Sequence, residues 1–189
     1  MTYTTIERLI APGEESAAAI SAPDRAPLTY GALKRLVGDT IIQMNAFGIG
    51  RNDPVAIILP NGPEMATAFV AIASAATSAP LNPAYQAEEL DFYLSDLNAR
   101  ALVIQQGMES PARQVAANHG VMIIELVPDE DAGAGSFTLR LADEKIVPVK
   151  AANGGAAGAD DIALVLHTSG TTSRPKIVPL SHRNVCTSA

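Results

Sequence analysis

Four short apolar runs limit what this chain can fold into. They are "PVAII" from Pro54, "ALVI" from Ala101, "VMIIEL" from Val121 and "IALVL" from Ile162. Each is bounded by turn or polar residues and is apolar almost without interruption, so each reads as a strand covered on both faces. Helical stripes lie between them. Leu33, Leu36, Val37, Ile41 and Met44 follow helical spacing, with Thr29 as the N-cap and Gly48 and Gly50 as the stop. A small-residue helix is expected from Pro63 to Ala76, and "APLNPAY" reads as a strand and turn after it. The next helix has Leu90, Tyr93, Leu94 and Leu97 on one face, and "SPARQVAANHG" is a further helix closed by Gly120. This alternation predicts an α/β fold, a mostly parallel sheet with helices on both faces.

The texture changes after Leu126. "VPDEDAGAG" reads as an acidic loop and "SFTLRL" as a short strand. "KAANGGAAGADD" has no periodicity and reads as an exposed linker, with Asp160 and Asp161 as a solvated lead-in to the next strand. The expected division of 1–189 is a core over 25–127, a loop or linker over 128–160, and a strand pair over 161–189. Ser181 caps a last helix that stops after about two turns, where a helix buries little of a face. The chain is therefore expected to be an N-terminal piece of a longer protein, with a C-terminal domain absent.

Composition excludes some functions. The net charge is -7, which disfavours a nucleic-acid backbone as partner. Aromatics make up 4% and Trp is absent, which disfavours a base-stacking platform. No apolar run approaches the length of a membrane span. Cys186 is the only cysteine, so a reducing compartment is expected: the cytoplasm, or a peroxisome in a eukaryote. Cys186 itself reads as a small core residue and not as a nucleophile.

The stretch "HTSGTTSRPK", His167 to Lys176, concentrates hydroxyls, one glycine and basic groups between two apolar runs. Successive backbone N–H groups in such a turn form a nest for anions, and hydroxyls and a lysine add donors. The stretch lacks the spacing of a Walker P-loop, and no G-x-G-x-x-G run is present. By composition alone it is either a phosphate cradle or an ordinary turn between strands.

The order of residues goes further. "TSGTTSRPK" resembles the phosphate-binding signature of the adenylate-forming superfamily, which includes acyl-CoA synthetases, luciferases and adenylation domains of peptide synthetases. The family pattern is matched from Thr168 to Lys176, except that Ser173 stands where the family has a second glycine. Ser173 and Arg174 are most similar to the oxalate–CoA ligase branch. "PLTYGAL" and "VAIILPNGPEMATAFVAIASAATSAPLNPAYQAEEL" are similar to the family's opening segments, so the resemblance covers nearly the whole chain. Ala32 replaces a common family glutamate, which removes the reciprocal half of a helix capping box.

The resemblance implies the N-terminal part of the large domain of an ATP-dependent carboxylate–CoA ligase. A small carboxylic acid attacks the α-phosphorus of ATP, pyrophosphate leaves, and coenzyme A then displaces AMP. By carry-over, Thr168, Ser169, Gly170, Thr171, Thr172 and Ser173 wrap the β- and γ-phosphates and Lys176 lies against them. Arg174 is a further candidate, and Thr172 would lie near the magnesium that accompanies ATP. His167 reads as a packing residue, and His182 as a structural residue that either caps the last helix or packs in a substrate pocket. No catalytic residue is expected within the chain, because the family's acyl pocket, adenine site and catalytic lysine lie further along. The chain alone is therefore expected to be inactive. Two alternatives stand beside this reading: an adenylation domain that loads a carrier protein, and a non-catalytic remnant that binds a partner.

Overall fold

The computed structural model describes residues 3–168 and 175–189, and the four apolar runs become the centre of one sheet. The chain begins with a short helix, α1 (Ile6–Ile10), and a two-stranded antiparallel ribbon of β1 (Ala18–Ile20) and β2 (Leu28–Thr29). Helix α2 (Tyr30–Ala46) starts at the expected cap, where the Ala32 N–H donates to Thr29 Oγ1 at 3.2 Å. Its buried face is Leu33, Val37, Thr40 and Met44, while Ile41 is only partly covered.

Three strand–helix units follow: β3 (Pro54–Ile58) with α3 (Pro63–Ala73), β4 (Thr77–Pro80) with α4 (Ala87–Asp96), and β5 (Ala101–Gln105) with α5 (Ala112–Asn118). Helix α3 ends at Ala73, short of Ala76, and β4 begins earlier than expected, at Thr77. Then come β6 (Met122–Pro128), β7 (Phe137–Leu141), β8 (Ile162–Thr168), β9 (Lys176–Ser181) and α6 (His182–Ser188).

The seven strands lie in the order β7-β6-β5-β3-β4-β8-β9. The five central strands are parallel, and β7 and β9 pair antiparallel at the two edges. "SFTLRL", expected as a short strand, is the edge strand β7. Pro179 is accommodated in β9 because an edge strand does not need every ladder donor.

Strand parity explains the two covered faces. Val55 and Ile57 of β3, with Ala101 and Val103 of β5, pack against α2 and α3. Ala56, Ile58, Leu102 and Ile104 point the other way, against Leu90, Leu94 and Leu97 of α4 and Ala112, Val115 and Ala116 of α5. The chain leaves β3 toward β4 through α3, and returns past β3 to β5 through α4. Reversing direction across the sheet puts the crossover helices on opposite faces, as the fixed hand of βαβ units requires.

The Gly/Ala segment differs from its expectation as an exposed linker. Its middle is exposed, but Ala151 and Ala157 are buried and the backbone is tied to the core. Ala151 N–H donates to Asn45 O, Arg51 N–H donates to Asn153 O, and Ala157 N–H donates to Ser74 O. A segment without periodicity lacks an amphipathic signal, yet its backbone groups still find partners. No helix among the described residues is long and apolar enough to cross a membrane.

Candidate functional site

Strand β8 is parallel to β4, with Ser78 opposite Leu164, so its last residues leave the sheet at the carboxyl ends of the parallel strands. That edge is where open α/β sheets bind ligands. Strand β9 returns antiparallel, and the final rung of the β8–β9 ladder pairs Thr168 with Lys176. Directly opposed residues of an antiparallel ladder project to the same face. Thr168 and Lys176, both exposed, therefore stand side by side at the mouth of the hairpin. Of the sequence-predicted site residues, these are the two the structure brings together. Ser169, Gly170, Thr171, Thr172, Ser173 and Arg174 lie outside the described residues.

His167 points to the opposite face of the ladder, as pleating requires. Its ring meets Tyr93 of α4 edge-on, with centroids 4.6 Å apart. Tyr93 in turn stacks on Tyr85 at 4.9 Å. The adjacent Tyr85 hydroxyl, with burial second, pushes the Tyr93 phenol up to about 12. His167 Nε2–H donates to Asp96 Oδ2 at 3.3 Å, and the histidine side chain is 6% exposed. The packing expected for His167 is present, and it joins β8 to α4.

The base of β8 is held by groups that sequence reading did not single out. Ile162 N–H donates to Asn52 Oδ1 at 2.8 Å, and Thr77 Oγ1 donates to Ile162 O at 2.8 Å. Asp161 is not the solvated lead-in that was expected. Its carboxylate accepts from Gly158 N–H and Asn52 Nδ2 at 2.7 Å each, with the Arg51 guanidinium 3.6 Å away. Burial acts to raise its pKa, but these donors and the guanidinium outweigh burial and hold the carboxyl below the usual range. Asn52 has φ 65, a left-handed turn residue in "RNDP". That turn signal is legible in the sequence, although its distant partners are not.

Beyond β9, Ser181 caps α6 reciprocally with Asn184. Ser181 Oγ accepts from the Asn184 N–H, and Asn184 Oδ1 accepts from the Ser181 N–H. His182 is completely buried. Its Nδ1 accepts from Ile6 N–H at 3.2 Å and its Nε2–H donates to Ala73 O at 2.9 Å, which fixes the neutral tautomer. Burial pushes its pKa down. The structural role expected for His182 is that of a tie between α1, α3 and α6. Cys186, expected in the core, is half-buried instead, and burial raises its thiol pKa.

A mostly parallel sheet covered by helices on both faces, with the Thr168–Lys176 rung at its carboxyl edge, defines an α/β fold of the kind that binds ligands at that edge. The profile of the AMP-binding enzyme family matches residues 10–189, and the chain belongs to that family. Among curated proteins, the oxalate–CoA ligase of Arabidopsis thaliana is 42% identical over 159 residues, covering 83% of this chain and 29% of that protein. The oxalate–CoA ligase of Saccharomyces cerevisiae is 37% identical over 185 residues, covering 84% of this chain and 34% of that one. Among solved structures, ATP-bound MatB from Rhodopseudomonas palustris superposes with a TM-score of 0.73 at 25% identity, covering 98% of this chain and 36% of that one. The chain thus spans about a third of the length of these relatives.

Proposed function

We propose that this chain is the N-terminal, phosphate-holding part of an AMP-forming carboxylate–CoA ligase, with oxalate as the acid. The observation that carries the reading is the Thr168–Lys176 rung, which closes a hairpin at the carboxyl edge of the parallel strands. The family signature from Thr168 to Lys176 and the two oxalate–CoA ligase relatives support it.

In this reading Thr168, Ser169, Gly170, Thr171, Thr172 and Ser173 hold the β- and γ-phosphates of ATP, with Arg174 as a further contact. Lys176 supplies a mobile point charge suited to phosphate. These groups neutralise charge on the departing pyrophosphate as the acid's carboxylate attacks the α-phosphorus. The coenzyme A sulfur then attacks the acyl carbon and AMP leaves. Magnesium accompanying ATP would share the phosphate charge, and Thr172 is the residue of this chain proposed to lie near it. The segment over 25–127 with its strand pair is the scaffold of the site, and acid, adenine and thiol sites lie in the rest of the protein. Residues 1–189 do not form acyl-CoA by themselves. The single cysteine supports a reducing compartment such as the cytoplasm.

The test is a panel of carboxylic acids offered to the full-length enzyme, with CoA-dependent pyrophosphate release as the readout. Oxalate is expected to give the strongest release. Release with medium-chain acids and none with oxalate would remove oxalate. Turnover with a carrier-protein thiol and none with coenzyme A would replace the ligase by a carrier-loading domain. Pyrophosphate release by residues 1–189 alone would sink the proposal that the chain is only the phosphate-holding part.

A further inference from the structure

Strand β8 outruns its neighbour. It is in register with β4 at Ser78 and Leu164, and β4 ends at Pro80, yet β8 continues to Thr168. Over its last residues the ladder partner is β9, an edge strand. A two-stranded ribbon is marginal without a face to pack on. On one face of this ribbon Leu166 is 41% exposed and Thr168 and Lys176 are exposed. On the other face the ribbon is tied to α4 by the His167 side chain, through its edge-on contact with Tyr93 and its hydrogen bond to Asp96. Tyr93 is itself backed by Tyr85 and by Phe92, whose ring centroid is 5.3 Å away. Asp96 is the last residue of α4 and Tyr93 lies three residues before it, so both contacts of this clamp come from one end of one helix.

We propose that His167 is a positioning residue for nucleotide phosphate. Held by Tyr93 and Asp96, it sets the direction in which β8 delivers Thr168, and so where the Thr168–Lys176 rung meets ATP. The inference rests on the phosphate-site reading above and deepens it. Donors to a phosphate act only when held near their productive geometry, and a rigid supporting shell is what holds them.

The test measures KM for ATP and for the acid in pyrophosphate release by the full-length enzyme. His167→Leu and Asp96→Ala, the latter at an exposed helix end, are each expected to raise the ATP KM about tenfold, the scale of one hydrogen bond to a charged group, with the acid KM changing less than about twofold. Asp96→Asn keeps an acceptor and Tyr93→Phe keeps the ring, so both are expected to stay near wild type, while Tyr93→Leu is expected to follow His167→Leu. An ATP KM unchanged in both His167→Leu and Asp96→Ala would overturn the clamp, as would equal rises for ATP and acid. Lys176→Ala, run in parallel, separates the two failures. If it raises the ATP KM and the clamp variants do not, only the clamp is wrong; if it also has no effect, the phosphate-site reading fails.

Discussion

Thr168 and Lys176 are partners in the last rung of the β8–β9 ladder, one ending the outgoing strand and the other beginning the return. The two ends of the signature, separated in the sequence, thus meet in space, with a hydroxyl and an ammonium on one face.

If that ammonium contacts phosphate, Lys176→Ala removes a charge-assisted hydrogen bond and weakens ATP use by about 1–3 kcal/mol. Steady-state pyrophosphate release against ATP concentration measures this. Kinetics indistinguishable from wild type would take Lys176 out of the site.

His182 makes stability depend on pH. Burial lowers its folded pKa below the unfolded value of about 6.5, so the unfolded chain binds the proton more readily. Its contribution is fully present above that pH and is lost as pH falls from there through the folded value. Urea unfolding between neutral and mildly acidic pH should show this loss. His182→Leu should be less stable at neutral pH, because Ile6 N–H and Ala73 O lose their partner at about 1–3 kcal/mol per buried group. The variant should also be flatter across the acidic window, and an unchanged pH slope would show that another group titrates there.

Two glycines with similar backbone separate crowding from conformation. Gly135 has φ 86, and a Cβ there would lie 2.7 Å from Pro63 O and 2.7 Å from Thr67 Cγ2. Gly107 has φ 73 and open space around it. Gly107→Ala is expected to cost about 1 kcal/mol, the strain of the left-handed region. Gly135→Ala is expected to cost about 1–3 kcal/mol more, the scale of overpacking. Equal midpoints in thermal unfolding would refute the packing of residues 133–136 against α3.

The strands were legible because burial on both faces leaves uninterrupted apolar runs, and the helices because one-sided burial leaves a stripe. The Thr29 and Ser181 caps were legible because their partners lie three residues away. The ties of the linker and the partners of Asp161, Asn52 and His182 were not. His182 bonds to groups 176 and 109 residues distant, and Asn52 reaches Asp161 over 109. A side chain whose partners are backbone groups of remote segments leaves no local pattern.

By itself, then, the sequence determined the element types, the parallel sheet and the family signature, because each depends on residues close together in the chain. Only the tertiary structure decided which edge of the sheet carries the hairpin, that Thr168 and Lys176 share a face, and that His167 reaches α4. Those outcomes depend on register and crossover direction, which are fixed by packing between segments far apart in the chain.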